Sequence, residues 1–165
     1  MKCILITGMS GTGKSAVVIE LARRGYRAID LDTPEWSHWV LADPDDALTP
    51  GDGQDWVWQE DRVRELLSGN GEDYLFVSGC AENMGKLFDL IDTIVLLSAP
   101  IDTLMHRLAK RTAKGYGHTA EERCKIAKLV ETIEPLLRQS AHHEIDTTRP
   151  VAETVTKILT LVALA

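Results

Sequence analysis

Short apolar runs alternate with amphipathic stretches along this chain of 165 residues. Runs typical of buried strands cover residues 2–7, 26–32, 74–79, 92–98 and 144–147. Apolar residues at spacings of three and four predict helices over about 15–24, 59–67, 101–111, 119–138 and 151–162. Because strands and helices alternate, we expect an α/β fold in which a five-stranded parallel sheet carries helices on both faces. The length and pattern predict one domain, 1–165.

A glycine-rich segment separates the first predicted strand from the first predicted helix. It fits the P-loop pattern G-x-x-x-x-G-K-[ST] at every fixed position, with the residues Gly8, Met9, Ser10, Gly11, Thr12, Gly13, Lys14 and Ser15. The glycines allow backbone N–H groups to turn inward onto a phosphate, and the helix dipole adds to the attraction. We expect Lys14 to contact the β- and γ-phosphates and the Ser15 hydroxyl to ligate Mg²⁺. The segment therefore predicts a nucleoside triphosphate site rather than an empty glycine turn.

Two aspartates, Asp30 and Asp32, come at the end of the second predicted strand. Alternation along a strand puts both side chains on one face, roughly 7 Å apart, at the edge where parallel sheets bind ligands. An aspartate here can hold Mg²⁺ or take the proton of an acceptor hydroxyl. We predict that Asp32 is catalytic and a metal ligand and that Asp30 contacts the acceptor. The alternative is that one caps a helix and the other is solvated.

Residues 33 to about 60 interrupt the periodic pattern, and the segment of about 33–70 is predicted to be an acceptor-binding insert. Prolines and glycines punctuate it, and it holds all four tryptophans of the chain, Trp36, Trp39, Trp56 and Trp58. Aromatic residues in loops beside a phosphate site are typical of acceptor-binding flaps. The competing interpretation is a small satellite core in which the tryptophans pack on one another. Under the first interpretation Trp36 and Trp58 bind the acceptor, and Arg62 grips it if it is anionic.

The loop after the third predicted strand begins Ser78-Gly79, where many P-loop proteins carry an aspartate for Mg²⁺. This difference favours Asp32 as the carboxylate that ligates Mg²⁺. Gly79, Glu82 and Asn83 follow the strand at the edge of the sheet where an acceptor would bind. The alternative is that the two polar residues only cap a helix.

A basic segment between two predicted helices has the composition of a lid. Arg107 and Arg111 are four residues apart and share one helix face, and the short lid segment, about 112–119, follows with two glycines and basic flanks. Thr119 and Glu122 form a capping box that starts the next helix. A cationic loop hinged between helices can close on phosphates and exclude water. We expect Arg107 and Arg111 to be catalytic in that role; the alternative is a solvated helix face.

The composition restricts the partners of the protein. A formal net charge of −7 argues against a nucleic-acid partner, but it is compatible with ATP because a few local cations dominate a small pocket. The three cysteines form no C-x-x-C pair, which predicts free thiols in a reducing compartment. The sequence has no apolar run of membrane-spanning length and no signal-peptide pattern, so we expect a cytoplasmic protein.

These segments together resemble the P-loop small-molecule kinases, the group that contains adenylate, shikimate and gluconate kinases. Asp30-Leu31-Asp32 resembles the paired aspartates of shikimate kinases. Arg107-x-x-x-Arg111 is similar to the lid-helix arginines of adenylate kinases, in which the first stacks on adenine and the second contacts phosphate. The resemblance therefore implies that Arg107 also contacts the nucleotide.

The resemblance extends to the end of the chain. Residues 145–150 are similar to the last strand and the adenine-side loop of the family, which implies nucleotide contacts by Arg149 and Pro150. It also implies the strand order 2-3-1-4-5, the cofactors ATP and Mg²⁺, and a small-molecule phosphoryl acceptor.

Several acceptor motifs of the family are absent. The chain lacks the Phe-Arg pair and the triple glycine of shikimate kinases and the Asp-Gly-Phe-Pro-Arg segment of adenylate kinases. We therefore expect an ATP-dependent kinase whose acceptor, a nucleotide, a sugar acid or a shikimate-like alcohol, is left open. The rival expectation is a P-loop ATPase or nucleotide-dependent switch that acts on a partner protein. The guanine-reading tetrapeptide N-K-x-D does not occur.

Overall fold

Strands and helices alternate along the chain as the sequence pattern predicts. The computed structural model describes residues 1–43, 53–71, 73–110, 117 and 119–164. Their elements, in chain order, are β1 (Lys2–Thr7), α1 (Lys14–Arg23), β2 (Arg27–Asp30), β3 (Ser37–Leu41), β4 (Gln54–Trp58), α2 (Glu60–Leu67), β5 (Tyr74–Ser78), a 3-10 helix (Glu82–Leu90), β6 (Thr93–Ser98), α3 (Ile101–Ala109), α4 (Ala120–Ser140), β7 (His143–Asp146) and α5 (Val151–Leu164).

The central sheet is parallel and has the order β2-β5-β1-β6-β7. Numbered among themselves in chain order, these five strands run 2-3-1-4-5, which confirms the predicted order. The central strands β1 and β6 are apolar and buried, as parallel strands covered on both faces must be. The carboxyl ends of β1, β2 and β5 lie side by side, because Ile6 and Asp30 both pair with Ser78.

Alternate side chains of the sheet pack into hydrophobic cores on its two faces. Leu5 and Val77 point to a core that includes Trp58 from β4 and Leu67 from α2. Their neighbours, represented by Ile6, point to the opposite core, which α1 and α5 cover. The sheet is thus a barrier between two helical layers, as in other α/β folds.

The predicted capping box starts α4. The Thr119 hydroxyl accepts a hydrogen bond from the Glu122 N–H at 3.1 Å, and the Glu122 carboxylate accepts one from the Thr119 N–H at 3.1 Å. Pro135 lies inside this helix. Among the described residues, no helix is long and apolar enough to cross a membrane, and Cys3, Cys80 and Cys124 are free thiols, as predicted.

The insert differs from the loop-rich segment that the sequence suggested. β3 and β4 form an antiparallel hairpin in which Trp39 pairs with Trp56 and Ser37 with Trp58. Residues 82–90, for which the sequence analysis predicted no helix, form a 3-10 helix. The second strand is also shorter than predicted: β2 ends at Asp30, so Asp32 lies beyond the regular alternation. Arg111 and most of the predicted lid, residues 112–116 and 118, lie outside the described residues.

Candidate active site

The P-loop occupies the turn from β1 into α1. Gly8, Gly11 and Gly13 have positive φ angles of 151°, 89° and 98°. At Gly8 a side chain would collide with the Leu97 carbonyl, so this position requires glycine for space as well as for backbone conformation. Thr12 closes the loop, because its N–H and its hydroxyl both donate to the Met9 carbonyl, the hydroxyl at 2.8 Å.

Lys14 and Ser15 have different hydrogen-bond partners. The Lys14 ammonium donates to the Gly8 carbonyl at 2.7 Å and to the Met9 carbonyl at 3.4 Å. The Ser15 hydroxyl, which is exposed, donates to an oxygen of the Asp30 carboxylate at 3.2 Å. A flexible cation and a hydroxyl beside inward-turned amides form the arrangement that P-loop proteins use for phosphate and Mg²⁺.

The oxygen donors at Ser15 and Asp30 fit a magnesium ion, which prefers hydroxyl, carboxylate and water oxygens. Among the described residues, no group of three or more acidic, histidine or cysteine side chains converges on one point. The protein therefore offers only part of a coordination shell, as is usual for Mg²⁺ that also binds nucleotide phosphates. The sequence assigned Asp32 to the metal, whereas it is Asp30 that contacts Ser15.

Asp32 is held by backbone and side-chain donors. Its carboxylate accepts hydrogen bonds from the Trp58 indole N–H at 3.2 Å and from the Cys80 backbone N–H at 3.1 Å. The Trp56 indole N–H donates to the Asp32 carbonyl at 2.9 Å. Burial raises the pKa of the Asp32 carboxyl above its ordinary value, and the Lys14 charge and the Trp58 hydrogen bond act in the opposite direction. Asp32 is therefore an oriented carboxylate with increased basicity, suited to accept a proton.

Gly79 makes this arrangement possible. A Cβ at this position would lie 2.7 Å from an Asp32 carboxylate oxygen and 2.8 Å from the Trp58 ring. Its φ of 156° also lies in the region that favours glycine. Gly79 therefore leaves space for the contact between Asp32 and Trp58. The sequence analysis predicted a contact of Gly79 with the acceptor, and that acceptor contact stays a prediction.

Arg107 connects the P-loop to the loop after the last strand. From α3, its guanidinium donates to the Gly11 carbonyl at 3.2 Å and to the hydroxyl and the carbonyl of Thr147, the former at 3.0 Å. Arg107 thus lies beside the P-loop, and its catalytic role and its contact with the nucleotide stay predictions. Arg149 is 78% exposed and lies 3.9 Å from Glu153, and Pro150 begins α5. Nucleotide contacts by Arg149 and Pro150 stay predictions, as does the role of Arg111.

A cavity of about 930 Å³ lies between the hairpin, the start of α2 and the 3-10 helix. Of the predicted acceptor residues, Trp58, Arg62, Glu82 and Asn83 line it together, whereas Asp30 and Gly79 lie at the P-loop edge. We call this the hairpin cavity. Trp58 lines the cavity and also donates to Asp32, but most of the hairpin residues that line the cavity lie on the opposite face of the hairpin.

Several of these predicted residues have structural contacts as well. The Asn83 side chain makes two hydrogen bonds to the backbone of Trp58. It accepts one from the Trp58 N–H at 3.0 Å and donates one to the Trp58 carbonyl at 2.8 Å. The Arg62 guanidinium lies 4.7 Å from the Trp36 ring centroid and donates to the Glu35 carbonyl at 2.6 Å. Trp58 is only 1% exposed and belongs to the main core. Trp58 and Trp36 therefore pack as the satellite-core interpretation expects, and their contacts with an acceptor stay predictions.

Sequence reasoning missed Trp56 and Cys80, although both contact Asp32. Trp56 is two residues before Trp58, so the alternation of a strand would have placed both indoles on one face. The contribution of Cys80 is a backbone N–H, and no side-chain signal in a sequence can reveal it. Burial raises the pKa of the Cys80 thiol, which therefore stays protonated and unreactive.

Comparisons with known proteins agree with this geometry. A family model described as an AAA domain matches residues 4–128. Shikimate kinase 2 of Salmonella typhimurium is 24% identical over 170 aligned residues, which cover 96% of this chain and 91% of that protein.

Two solved structures have the same fold. The structure of shikimate kinase from Acinetobacter baumannii in complex with shikimate has a TM-score of 0.65 at 23% identity and covers 99% of this chain and 93% of its own. The structure of a gluconokinase from Sinorhizobium meliloti has a TM-score of 0.62 at 26% identity, with the same coverage of 99% and 93%.

The sheet order, the P-loop and the two carboxylates beside it define a P-loop phosphotransferase of the small-molecule kinase type. Within the P-loop proteins, the chain belongs to the AAA-domain family whose model covers residues 4–128. The predicted resemblance to P-loop small-molecule kinases is thereby confirmed.

Proposed function

We propose that the protein transfers the γ-phosphoryl group of Mg-ATP to a hydroxyl group of a small-molecule acceptor. The observation that carries the proposal is the position of Asp32. The positive charge of Lys14, on the nucleotide side, acts to lower the pKa of the Asp32 carboxyl. The carboxylate also accepts a hydrogen bond from the indole N–H of Trp58, which lines the hairpin cavity. Asp32 thus lies beside the phosphate site and is fixed by the hairpin face that carries Trp56 and Trp58.

The nucleotide end of the site supplies binding and charge. The P-loop amides and Lys14 bind the phosphates, and Arg107 lies where the nucleoside end would be held, between Gly11 and Thr147. Ser15 and Asp30 are the residues that would hold magnesium. Bound there, the ion would neutralise charge on the β- and γ-phosphate oxygens.

Asp32 acts on the acceptor in this proposal. Its two N–H donors fix the carboxylate, so little reorientation is needed before it accepts the proton of the attacking hydroxyl. Little covalent chemistry is required of the protein, because phosphoryl transfer depends mainly on alignment and charge stabilisation. The names of the relatives, shikimate kinase and gluconokinase, support a small hydroxylated acceptor.

The test is acceptor-dependent release of ADP from ATP, with shikimate, gluconate, nucleoside monophosphates and amino sugars as candidate acceptors. We expect ADP release to require one acceptor class and the acceptor to gain the mass of one phosphoryl group. Lys14→Ala should reduce this turnover by about 10²-fold or more, because the lysine stabilises charge on the transferred group. Its unfolding temperature should stay close to that of the wild type.

Two controls keep the result specific. Lys157→Ala removes an exposed lysine on α5 and should leave turnover unchanged. Hydrolysis of ATP that proceeds equally without any acceptor, or that a protein partner stimulates, would contradict the proposal and favour a nucleotide-dependent switch.

A further inference from the structure

The backbone groups of Trp58 point to the outer edge of the hairpin. Ser37 and Trp58 lie opposite each other across the two strands, and the next residue, Gln59, donates its N–H to the Trp36 carbonyl at 2.8 Å. Hydrogen-bonded and non-hydrogen-bonded pairs alternate in an antiparallel ladder, so the pair of Ser37 and Trp58 is a non-hydrogen-bonded one. The N–H and the carbonyl of Trp58 therefore point away from β3, toward the open edge of β4.

The Asn83 side chain occupies this edge. Its amide oxygen accepts the Trp58 N–H at 3.0 Å, and its amino group donates to the Trp58 carbonyl at 2.8 Å and to the Glu60 carboxylate at 3.2 Å. One donor and two acceptors around the amide fix which way it is turned. Asn83 thus makes the two hydrogen bonds that a third strand would make, and it holds β4 at the position of Trp58.

The two N–H groups that hold the Asp32 carboxylate both depend on residues 79–83. The Cys80 N–H belongs to this segment and lies 3.1 Å from a carboxylate oxygen. The Trp58 indole N–H, at 3.2 Å, is connected to the same segment through Asn83. Both distances are at the long end of the range for N–H···O hydrogen bonds, so a small shift of β4 would weaken the indole bond. The position of the carboxylate therefore depends on how β4 is held.

The hydrogen-bonding capacity of the Asn83 amino group is used within the protein. The group has two N–H donors, and the structure gives them two acceptors, the Trp58 carbonyl and the Glu60 carboxylate. Asn83 also lines the hairpin cavity, and most hairpin residues of that cavity lie on the face away from the indoles that contact Asp32. These observations favour an indirect role of Asn83 over a contact with an acceptor at Asp32.

We propose that Asn83 is a positioning residue for phosphoryl transfer: it fixes the backbone of Trp58 and, through the Trp58 indole, the Asp32 carboxylate. The inference rests on the proposed function, in which Asp32 accepts the proton of the acceptor hydroxyl. Asn83 touches neither the nucleotide nor the acceptor in this role. Its effect on the reaction passes entirely through one indole N–H.

The first test measures the indole itself, in the full chain and without substrate. A ¹H–¹⁵N NMR spectrum of the protein labelled at its four tryptophans shows their indole N–H signals, and Trp58→Phe identifies the Trp58 signal by its loss. We expect Asn83→Ala to shift this signal and to speed its hydrogen exchange about tenfold or more. Asn70→Ala is the matched control, since Asn70 is the only other asparagine of the chain and is exposed after α2. It should leave the four signals unchanged.

The second test is a double-mutant cycle on ADP release with a productive acceptor. Asn83→Ala should lower kcat about fivefold or more, because the indole donor is displaced, while the KM values for ATP and acceptor change little. In a Trp58→Phe background the same substitution should lower kcat by less than about twofold, because the donor that Asn83 positions is already absent. An equal loss of kcat in both backgrounds overturns the inference. A rise in the acceptor KM at unchanged kcat overturns it as well and favours a direct contact with the acceptor.

Asn83→Asp provides a second variant in case Asn83→Ala does not fold. It keeps the oxygen that accepts the Trp58 N–H and loses the donor to the Trp58 carbonyl, so the same shift of the indole signal and a loss of kcat of about threefold or more are expected. An unchanged Trp58 signal in a folded variant overturns the inference, even where the wild type releases ADP and the proposed function stands. Absence of ADP release with every acceptor would contradict the proposed function and the positioning role together.

Discussion

The space beside Gly79 decides how the Asp32 carboxylate is held. Asp32 and Trp58 approach the Cα of Gly79 so closely that a methyl group there would lie 2.7 Å and 2.8 Å from them. A packed cluster with no spare volume cannot absorb such a group without moving a neighbour. The residue that moves would be the carboxylate or the indole, and both belong to the site.

We predict that Gly79→Ala lowers both stability and activity. Overpacking should reduce the free energy of unfolding by about 1–3 kcal/mol, and displacement of Asp32 should reduce kcat. Denaturant unfolding and the ADP assay measure the two effects. Gly25→Ala is the control, because Gly25 has φ 89° but no atom within 4 Å of the added methyl group. It should cost stability alone, and an equal loss of kcat in both variants would contradict the role given to Gly79.

The two aspartates show what sequence could and could not predict at this scale. Their position at the end of a strand that follows the P-loop helix was sufficient to predict that both lie near the P-loop. Their separate contacts could not be predicted, because side chains alternate between the two faces only where the strand continues. β2 ends at Asp30, and the chain then turns so that the Asp32 N–H bonds to the Asp30 carboxylate at 3.1 Å. Asp30 therefore faces Ser15 while Asp32 faces Trp58.

Among the secondary-structure elements, the β3–β4 hairpin is the one that connects core packing to the site. Trp58 lies in the main core, and its backbone is bracketed by Asn83. Trp39 and Trp56 form an edge-to-face pair with centroids 5.0 Å apart, in which Trp39 is 57% exposed. The hairpin therefore has one tryptophan, Trp58, with a contact to the Asp32 carboxylate and another, Trp39, for which the structure shows none.

We predict that Trp58→Phe reduces kcat by about tenfold or more, because it removes the indole donor to a charged carboxylate while it keeps an aromatic ring. The KM for ATP should change little, since the P-loop is untouched. Trp39→Phe should leave kcat unchanged. If Trp58→Phe lowers only the unfolding temperature, Trp58 is a packing residue and the satellite-core interpretation of the tryptophans is sufficient.

The β3–β4 hairpin could not be predicted from the sequence. Its strands have five residues each, and Pro34 lies just before them, so periodic signals are short and weak. Pairing across the hairpin places Asp55 beside Val40, a contact between residues 15 positions apart that no local pattern encodes. The 3-10 helix at Glu82–Leu90 was missed for a similar reason, since its short turns give no long apolar stripe.

At the scale of the whole molecule, the sheet could be predicted because its signals are strong and mutually consistent. The apolar runs identified each parallel strand, and the P-loop fixed which of them comes first. The family resemblance then implied the order that the structure has. The hairpin cavity lacked such signals, since its lining residues come from the hairpin, α2 and the 3-10 helix and meet only in the folded chain.

The end of α1 is attached to α5 through a cluster of charged groups. Glu20 accepts hydrogen bonds from Arg23 and Arg24, and Arg24 donates onward to the Thr156 hydroxyl at 2.9 Å and the Ala152 carbonyl at 2.8 Å. These hydrogen bonds lower the pKa of the Glu20 carboxyl from its ordinary value of 4.5 to about 2. A lowered pKa in the folded state stabilises the protein above pH 4.5, and the contribution disappears as the pH falls toward 2.

We predict that Glu20→Gln lowers stability at neutral pH and makes the free energy of unfolding less dependent on pH between 4.5 and 2. Other carboxylates titrate in both proteins, so the difference between variant and wild type isolates Glu20. Chemical unfolding at a series of pH values provides the measurement. Glu131→Gln, at an exposed position on α4, should follow the wild type. A constant difference across that pH range would contradict the assignment.

The hairpin leaves the sheet after β2 and returns, through α2, to β5, which is the strand that pairs with β2. The two attachment points are therefore neighbours, and the length of chain between them is not constrained by the sheet. A segment of this kind can be exchanged for another without moving the nucleotide loop. Grafting a different insert between β2 and β5 is thus the natural way to give this scaffold a new substrate, provided that the graft supplies an indole or another donor to Asp32.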